Sequence, residues 1–277
     1  MDPGTCRHVR QQGRRARPSI GPSDATPATL GPMAVPTRAE ALSLLMSTAP
    51  SPRLLRHVTV VAEVASFLAY RATRAGLPVD RRLAETAALL HDIDKALPAD
   101  HPLKALGHGR AGAAWLRDSG HAELARAVAS HPVMHLDGPD AAAWVGDGPL
   151  EERIVAYADK RAMQRVVSLE RRFARWQRRH PEHAEQLERT LLIARRLEST
   201  LCLAIGIRPD EVERLPWVDE AILHASANGA FGATDGARQA TEASRQATDD
   251  PEGSVAAASP AAASPAAAPP PAGASTA

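Results

Sequence analysis

The sequence predicts an all-α protein, with a single helical domain over residues 37–224 and disordered tails at 1–36 and 225–277. Three observations carry this. The hydrophobic share is 44% while aromatics make up only 3%, so the core must be built from Leu, Val, Ile and Ala, a mix that favours helices over strands. Apolar residues between 37 and 224 recur at helical spacing, and no segment alternates with the β-branched enrichment of a strand. The 23 prolines and 18 glycines concentrate towards the two ends of the chain.

Each element has its own local reason. Thr37-Arg-Ala-Glu40 spells a capping box running into Ala41, Leu42, Leu44 and Leu45. Ser51-Pro52 reads as an N-cap followed by proline at the first helical position. Leu54, Val58, Val61, Ala65 and Leu68 then share one helical face. Asp80 can cap a third helix bearing Leu83, Ala87 and Leu90, with Pro98 expected to close it. A short helix is predicted over 109–116, stopping near Gly120, and another from His121 towards His131. After a Gly/Pro/Asp-rich loop at 137–149, residues 150–163 read as a helix with Ile154, Tyr157 and Ala158 on one side. Val166, Leu169, Phe173 and Trp176 stripe the next segment, and helix propensity is strong again over 182–203.

The tails read differently. Residues 1–36 are rich in Pro, Gly, Arg and Thr and show no apolar periodicity, which predicts disorder. Met33 offers an alternative start of translation, and a basic arm of Arg7, Arg10, Arg14, Arg15 and Arg17 that binds polyanions is the functional alternative. From Ser226 onwards branched aliphatics almost vanish, and Arg238-Gln-Ala-Thr-Glu242 is nearly repeated at Arg245-Gln-Ala-Thr-Asp249 ahead of Ala/Ser/Pro units. Such a stretch cannot bury enough apolar area to offset its ordering entropy.

Composition also excludes function classes. Lys and Arg number 33 against 32 Asp and Glu, a formal net charge of +1, so bulk charge gives no argument for a nucleic-acid or membrane partner. Cys6 and Cys202 lie far apart and form no CxxC, which argues against a disulfide framework or a zinc-thiolate site. No apolar run approaches the ~18 residues of a transmembrane helix, and the Arg-rich start lacks the apolar block of a secretory signal. The expectation is a reduced, soluble, cytoplasmic protein.

Chemistry concentrates in His57, His91-Asp92, His108, His131, His135 and Asp159. A lone histidine on a helix is usually structural, but placement adds weight here. His57 shares a strip with Leu54 and Val61, His91-Asp92 ends the apolar run Thr86-Ala-Ala-Leu-Leu90, and Asp159 ends Ile154-Val-Ala-Tyr-Ala158. Ionisable groups at such places need compensation when buried, and a divalent metal can supply it. Adjacent helical residues point about 100° apart, so His91 and Asp92 can share one ion only beside a helix end, with His57 and Asp159 completing the shell from separate helices. Two or three imidazoles with one or two carboxylates suit Mn, Fe, Co, Ni or Zn better than Ca.

The order His57, His91-Asp92, Asp159 resembles the H…HD…D signature of the HD-domain phosphohydrolase superfamily, and Ala87-Ala-Leu-Leu-His-Asp-Ile-Asp-Lys95 is similar to its HDIG-type core motif. The likeness runs from Leu54 to Asp159. It implies a helical fold, a divalent metal (Mn, Fe, Co, Ni, Zn or Mg) held by His57, His91, Asp92 and Asp159, and hydrolysis of phosphomonoesters or phosphodiesters. The expected partner is a small phosphorylated substrate, a nucleotide or a related compound. Catalytic roles are expected of Asp92 and of Lys95, which would stabilise charge on phosphoryl oxygens; the plainer reading of Lys95 is a cation favoured by a helix C-terminus. Asp94 stands where the HDIG form commonly has glycine, a departure that bears on local backbone shape or site polarity. Leu106-Gly-His108-Gly-Arg-Ala-Gly112 and Ala129-Ser-His131 resemble segments that hold a second metal in some branches. One tight metal is therefore expected, with a second that binds loosely or only with substrate, and phosphate binding is the alternative for His108 and His131. Pro132 replaces a histidine of the HD-GYP branch, and the Gly-Tyr-Pro signature is missing, so cyclic-di-GMP hydrolysis is not inferred. A regulatory module that binds a nucleotide without turnover is the competing reading, and a ribonuclease a third, since ribonuclease Y carries such a domain.

Other signals read as structural. Gly107-His-Gly109-Arg-Ala-Gly112 spells GxGxxG, but no strand precedes it as a dinucleotide site requires. Arg171, Arg172, Arg175, Arg178 and Arg179 form a basic stripe expected opposite Leu169, Phe173 and Trp176, either a solvated face or a guide for polyphosphate or RNA. His101, His121, His180, His183 and His224 are expected in loops, caps or at the surface.

Overall fold

The computed structural model describes residues 34–139, 141–146 and 148–230, so the expected tails fall mostly outside the described residues. Within them the chain forms α-helices and 3₁₀ turns, with one isolated antiparallel bridge between Ala162 and Val166 and no strand. None of these helices is long and apolar enough to cross a membrane.

Side-chain caps set the first three helices. Glu40 accepts from the Thr37 N–H at 2.7 Å while Thr37 accepts from the Glu40 N–H, a full capping box that opens α1 (Arg38–Ser47). Ser51 caps α2 (Pro52–Arg74), where Pro52 has no helical bond to lose. Asp80 accepts from the Leu83 N–H at 3.0 Å and opens α3 (Arg81–Leu90). Each such cap contributes about 1 kcal/mol.

The core is organised around α2. Its predicted strip is buried, but Val60, Ala62, Val64 and Ala69 are buried as well, because α3, α7 (Leu150–Lys160) and α11 (Trp217–Ala230) all pack against it. A helix enclosed by three neighbours buries more than one stripe, so His57 is carried into the core along with the valines.

Several boundaries differ from the sequence expectation. α3 stops at Leu90, not near Pro98: His91 keeps helical angles, but Asp92 turns to φ −104° and ψ 19°, and a 3₁₀ turn follows at Ile93–Ala96. The helix expected from His121 is split into a 3₁₀ turn at Ala122–Leu124 and α5 (Ala125–Ser130). The expected loop at 137–149 contains α6 (Ala141–Val145), anchored by Trp144, whose indole N–H donates to the His135 carbonyl at 3.3 Å. The helix predicted over 150–163 ends at Lys160 and gives way to a tight loop. α8 (Leu169–Arg179), α9 (Ala184–Ala204) and α10 (Pro209–Glu213) follow. α11 runs to Ala230, six residues past the boundary placed at 224. Val218 and Ile222 bury its first turns, and an already packed helix can propagate through small residues that would not start one.

The glycine-rich segment before α4 (Arg110–Asp118) serves backbone shape. Gly107 and Gly109 flank His108 with φ of +79° and +77°, and a Cβ on Gly109 would lie 2.7 Å from Pro132 Cγ. Gly112 brings α4 against Ile93 and Val128, which a Cβ would meet at 3.2 Å. These glycines thus present His108 and let α4 approach closely, which accounts for the GxGxxG pattern.

Candidate metal centre

Four histidines and two aspartates from separate elements meet in the interior. His57 comes from α2, His91 and Asp92 from the turn that ends α3, His108 from the glycine segment, His131 from the end of α5, and Asp159 from the last turn of α7. The break after Leu90 is what lets adjacent residues face one centre: His91 Nε2 lies 3.3 Å from Asp92 Oδ2.

The outer ring nitrogens fix the orientation of all four imidazoles. Nδ1 of His57 bonds to the Met163 carbonyl (3.1 Å), that of His91 to Ala88 (2.7 Å) and that of His131 to Val128 (2.6 Å). Nδ1 of His108 bonds to the Asp94 carboxylate at 2.9 Å. With these acceptors Nδ1 carries the proton and Nε2 turns its lone pair inward, the arrangement that outer partners impose on metal-binding histidines.

The inward nitrogens divide around Asp92. Its Oδ2 faces His57 (3.4 Å) and His91 (3.3 Å), while its Oδ1 faces His108 and His131, both at 3.4 Å. Asp159 Oδ1 stands across the first pair, 3.3 Å from His57 and 3.7 Å from His91. His108 and His131 bring their Nε2 atoms to 3.1 Å of each other.

These residues fit a divalent ion. His57 Nε2, His91 Nε2 and Asp92 Oδ1 are buried with no hydrogen-bond partner, although buried polar groups are normally satisfied. Donors each about 2.1 Å from one ion stand roughly 3.4 Å apart in tetrahedral geometry, close to the separations above. Three donor groups have ligand atoms within 4.8 Å of one another: His57, His91 and Asp92; His91, His131 and Asp159; and Asp92, His108 and His131.

The electrostatics point the same way. Burial disfavours charge on His57, but Asp159 and Asp92 outweigh it and raise its pKa to about 9; carboxylates that draw a proton to Nε2 also draw a metal cation. Burial pushes His131 down to about 3, which keeps its ring neutral. Burial also opposes ionisation of both aspartates, yet His91 and Lys95 hold Asp92, and Lys160, His57 and Arg172 hold Asp159, well below the usual carboxylate range.

Three cations brace the carboxylates. Lys95 Nζ is 3.0 Å from Asp92 Oδ2. Lys160 Nζ, fully buried, is 3.0 Å from Asp159 Oδ2 and also donates to the His131 carbonyl. Arg172 reaches Asp159 Oδ1 at 3.3 Å and lies over the Trp176 ring. The sequence reading missed Lys160 and set Arg172 on the stripe opposite the apolar face; the structure corrects this, since Arg172 is buried. The signal was present: Leu169, Arg172, Phe173 and Trp176 follow i, i+3, i+4, i+7, the spacing of one face. Arg171, by contrast, is exposed.

The loop after α7 ties the centre to the C-terminal helices. Buried Arg161 donates to the Val167 carbonyl (2.9 Å), the Tyr157 hydroxyl (2.7 Å) and Glu213 (2.9 Å), and pairs with Glu198. It thereby holds the base of the loop whose Met163 carbonyl orients His57. His135 stays outside the cluster, half-buried on the 3₁₀ turn Val133–Asp137, and His101 accepts from the Leu103 N–H as a cap.

Comparison with curated proteins and with solved structures gave no match. Residues 54–164, the stretch that carries every histidine and aspartate of the cluster, match the family model described as HD domain, which supports assigning that stretch to the HD-domain superfamily.

Proposed function

We propose that this chain is a divalent-metal-dependent hydrolase of phosphomonoester or phosphodiester bonds, acting on a nucleotide or a related small phosphate compound. The observation that carries this reading is the convergence of four inward-facing Nε2 atoms on the two oxygens of buried Asp92. His57, His91, Asp92 and Asp159 would hold one ion tightly. Asp92, His108 and His131 would hold a second more loosely, because that side has only a share in one carboxylate. A divalent ion at such a centre polarises phosphoryl oxygens and makes water a competent nucleophile near neutral pH.

The chain's own residues supply the rest. Lys95 and His108 are the most open members of the cluster, their side chains 12% and 15% exposed against 8% or less for the other ligands. A phosphate group therefore approaches from their side. Lys95 Nζ is already held beside Asp92, where its charge can offset charge that develops on the phosphoryl oxygens.

The test is a screen of metal-loaded protein against nucleoside mono-, di- and triphosphates, cyclic dinucleotides, dinucleoside polyphosphates and short RNA. Turnover of one class is expected, and Lys95→Ala should keep the metal while lowering kcat by roughly 10²-fold. Tight nucleotide binding with no turnover in any metal would replace this reading with the regulatory module.

A further inference from the structure

His108 differs from the other three histidines in what holds it. Those three use backbone carbonyls, and His91 and His131 find theirs three residues back in their own helical turn. His108 sits between two glycines with positive φ, in the turn that leads into α4, and bonds instead to the carboxylate of Asp94 at 2.9 Å. Asp94 is 5% exposed, on the 3₁₀ turn just past Asp92, and its Oδ1 has no hydrogen-bond partner. A neutral imidazole offers such a buried anion only one N–H. A cation on the far side of the same ring would offset its charge through that ring.

We propose that Asp94 is the positioning residue of the second cation site: it fixes His108 with Nε2 towards Asp92 and His131, and its charge strengthens that ring as a donor. This rests on the two-ion reading above and adds what selects the looser ion. A glycine at position 94 would leave His108 Nδ1 with no such acceptor, so its ring would turn freely between its two glycines.

The test uses the full-length protein, titrated with Mn²⁺ and followed by calorimetry, with ring ¹⁵N spectra of the histidines read in parallel. The wild type is expected to bind two ions of unequal affinity, with His108 carrying its proton on Nδ1. Asp94→Asn keeps an acceptor oxygen but removes the charge, and should weaken the second ion by about 10-fold; Asp94→Gly should weaken it by about 100-fold and release the His108 tautomer, the range found for outer partners of metal ligands. The first ion should be unaffected in both. A second ion held equally well by wild type and both variants overturns the role of Asp94, as does an unchanged His108 tautomer in Asp94→Gly. A single ion in the wild type overturns it too and removes the second site, while leaving the first-site reading intact. Should Asp94→Gly fail to fold, the nearly isosteric Asn variant decides by the split between the two ions.

Discussion

On the Oδ2 side of Asp92, His57 and His91 face a second carboxylate, Asp159, at 3.3 and 3.7 Å; on the Oδ1 side, among the described residues, the inward nitrogens of His108 and His131 pair within 4 Å with Asp92 alone, Asp159 standing farther from His131. The first side is also the braced one, with Lys95, Lys160 and Arg172 against its two carboxylates. The second has an anion in an outer position instead, Asp94 behind His108. Two clusters of similar residues thus differ in where their charge sits. Direct carboxylate donors favour a tight ion but repel each other when it leaves, so buried cations beside them keep the fold intact through loading and release. On the proposed two-ion reading, a site with its charge one residue removed would need no such bracing and would bind more weakly.

Removing the shared element should have the largest effect. Asp92→Ala takes a donor from both sides at once: metal analysis after dialysis should find the tight ion lost, and a Mn²⁺ titration should show no binding of the second. Activity should fall by more than the roughly 100-fold that an outer partner can account for. Full metal content and rate in this variant would place the centre elsewhere.

Lys160 is the strut between the two sides, since it touches Asp159 and the His131 carbonyl. Lys160→Met leaves a buried carboxylate short of one partner, and urea unfolding in chelator should show a loss of about 3 kcal/mol. Saturating Mn²⁺ should recover part of this, because an ion that binds only the folded state stabilises by mass action. An unchanged urea midpoint would mean that Arg172 alone suffices to hold Asp159.

The smallest effect should come from the weaker side. His131→Ala should reduce activity and loosen the second ion while the first stays bound through dialysis, whereas His57→Ala should release the first. Equal behaviour of the two variants in a metal titration would erase the asymmetry between the sides.

Much of this was legible from the chain because it depends on neighbours in sequence. The capping box at Thr37, the caps at Ser51 and Asp80 and the apolar spacing of α2 are local, and each appears where expected. His91, Asp92 and Asp159 stand out because ionisable groups at the ends of apolar runs are rare and need a reason, and His57 because it shares an apolar strip. His108 and His131 are singled out by the resemblance of their segments to those of the HD-domain family, and His135, marked with them, lies outside the cluster. The helix ends were less legible. The stop of α3 at Leu90 serves the site more than it follows from propensity, and α11 outruns its composition because its first turns are packed.

By itself, then, the sequence determined the all-α class and the starts of the first helices, since these follow from side-chain type and spacing along one helix, while the grouping of the six donors was an expectation drawn from the resemblance of their order and motifs to the HD-domain family. Tertiary structure alone decided which oxygen of Asp92 each histidine faces, that Asp94 and not a backbone carbonyl holds His108, and that Lys160, Arg161 and Arg172 are buried where a linear reading expects charge in water. The physical reason is that burying a charge depends on partners from other elements: Arg161 needs Glu198 and Glu213, Arg172 needs Asp159, and Lys160 needs a carbonyl from α5's end. Those partners lie 13 to 52 residues away along the chain, beyond the reach of any local spacing rule.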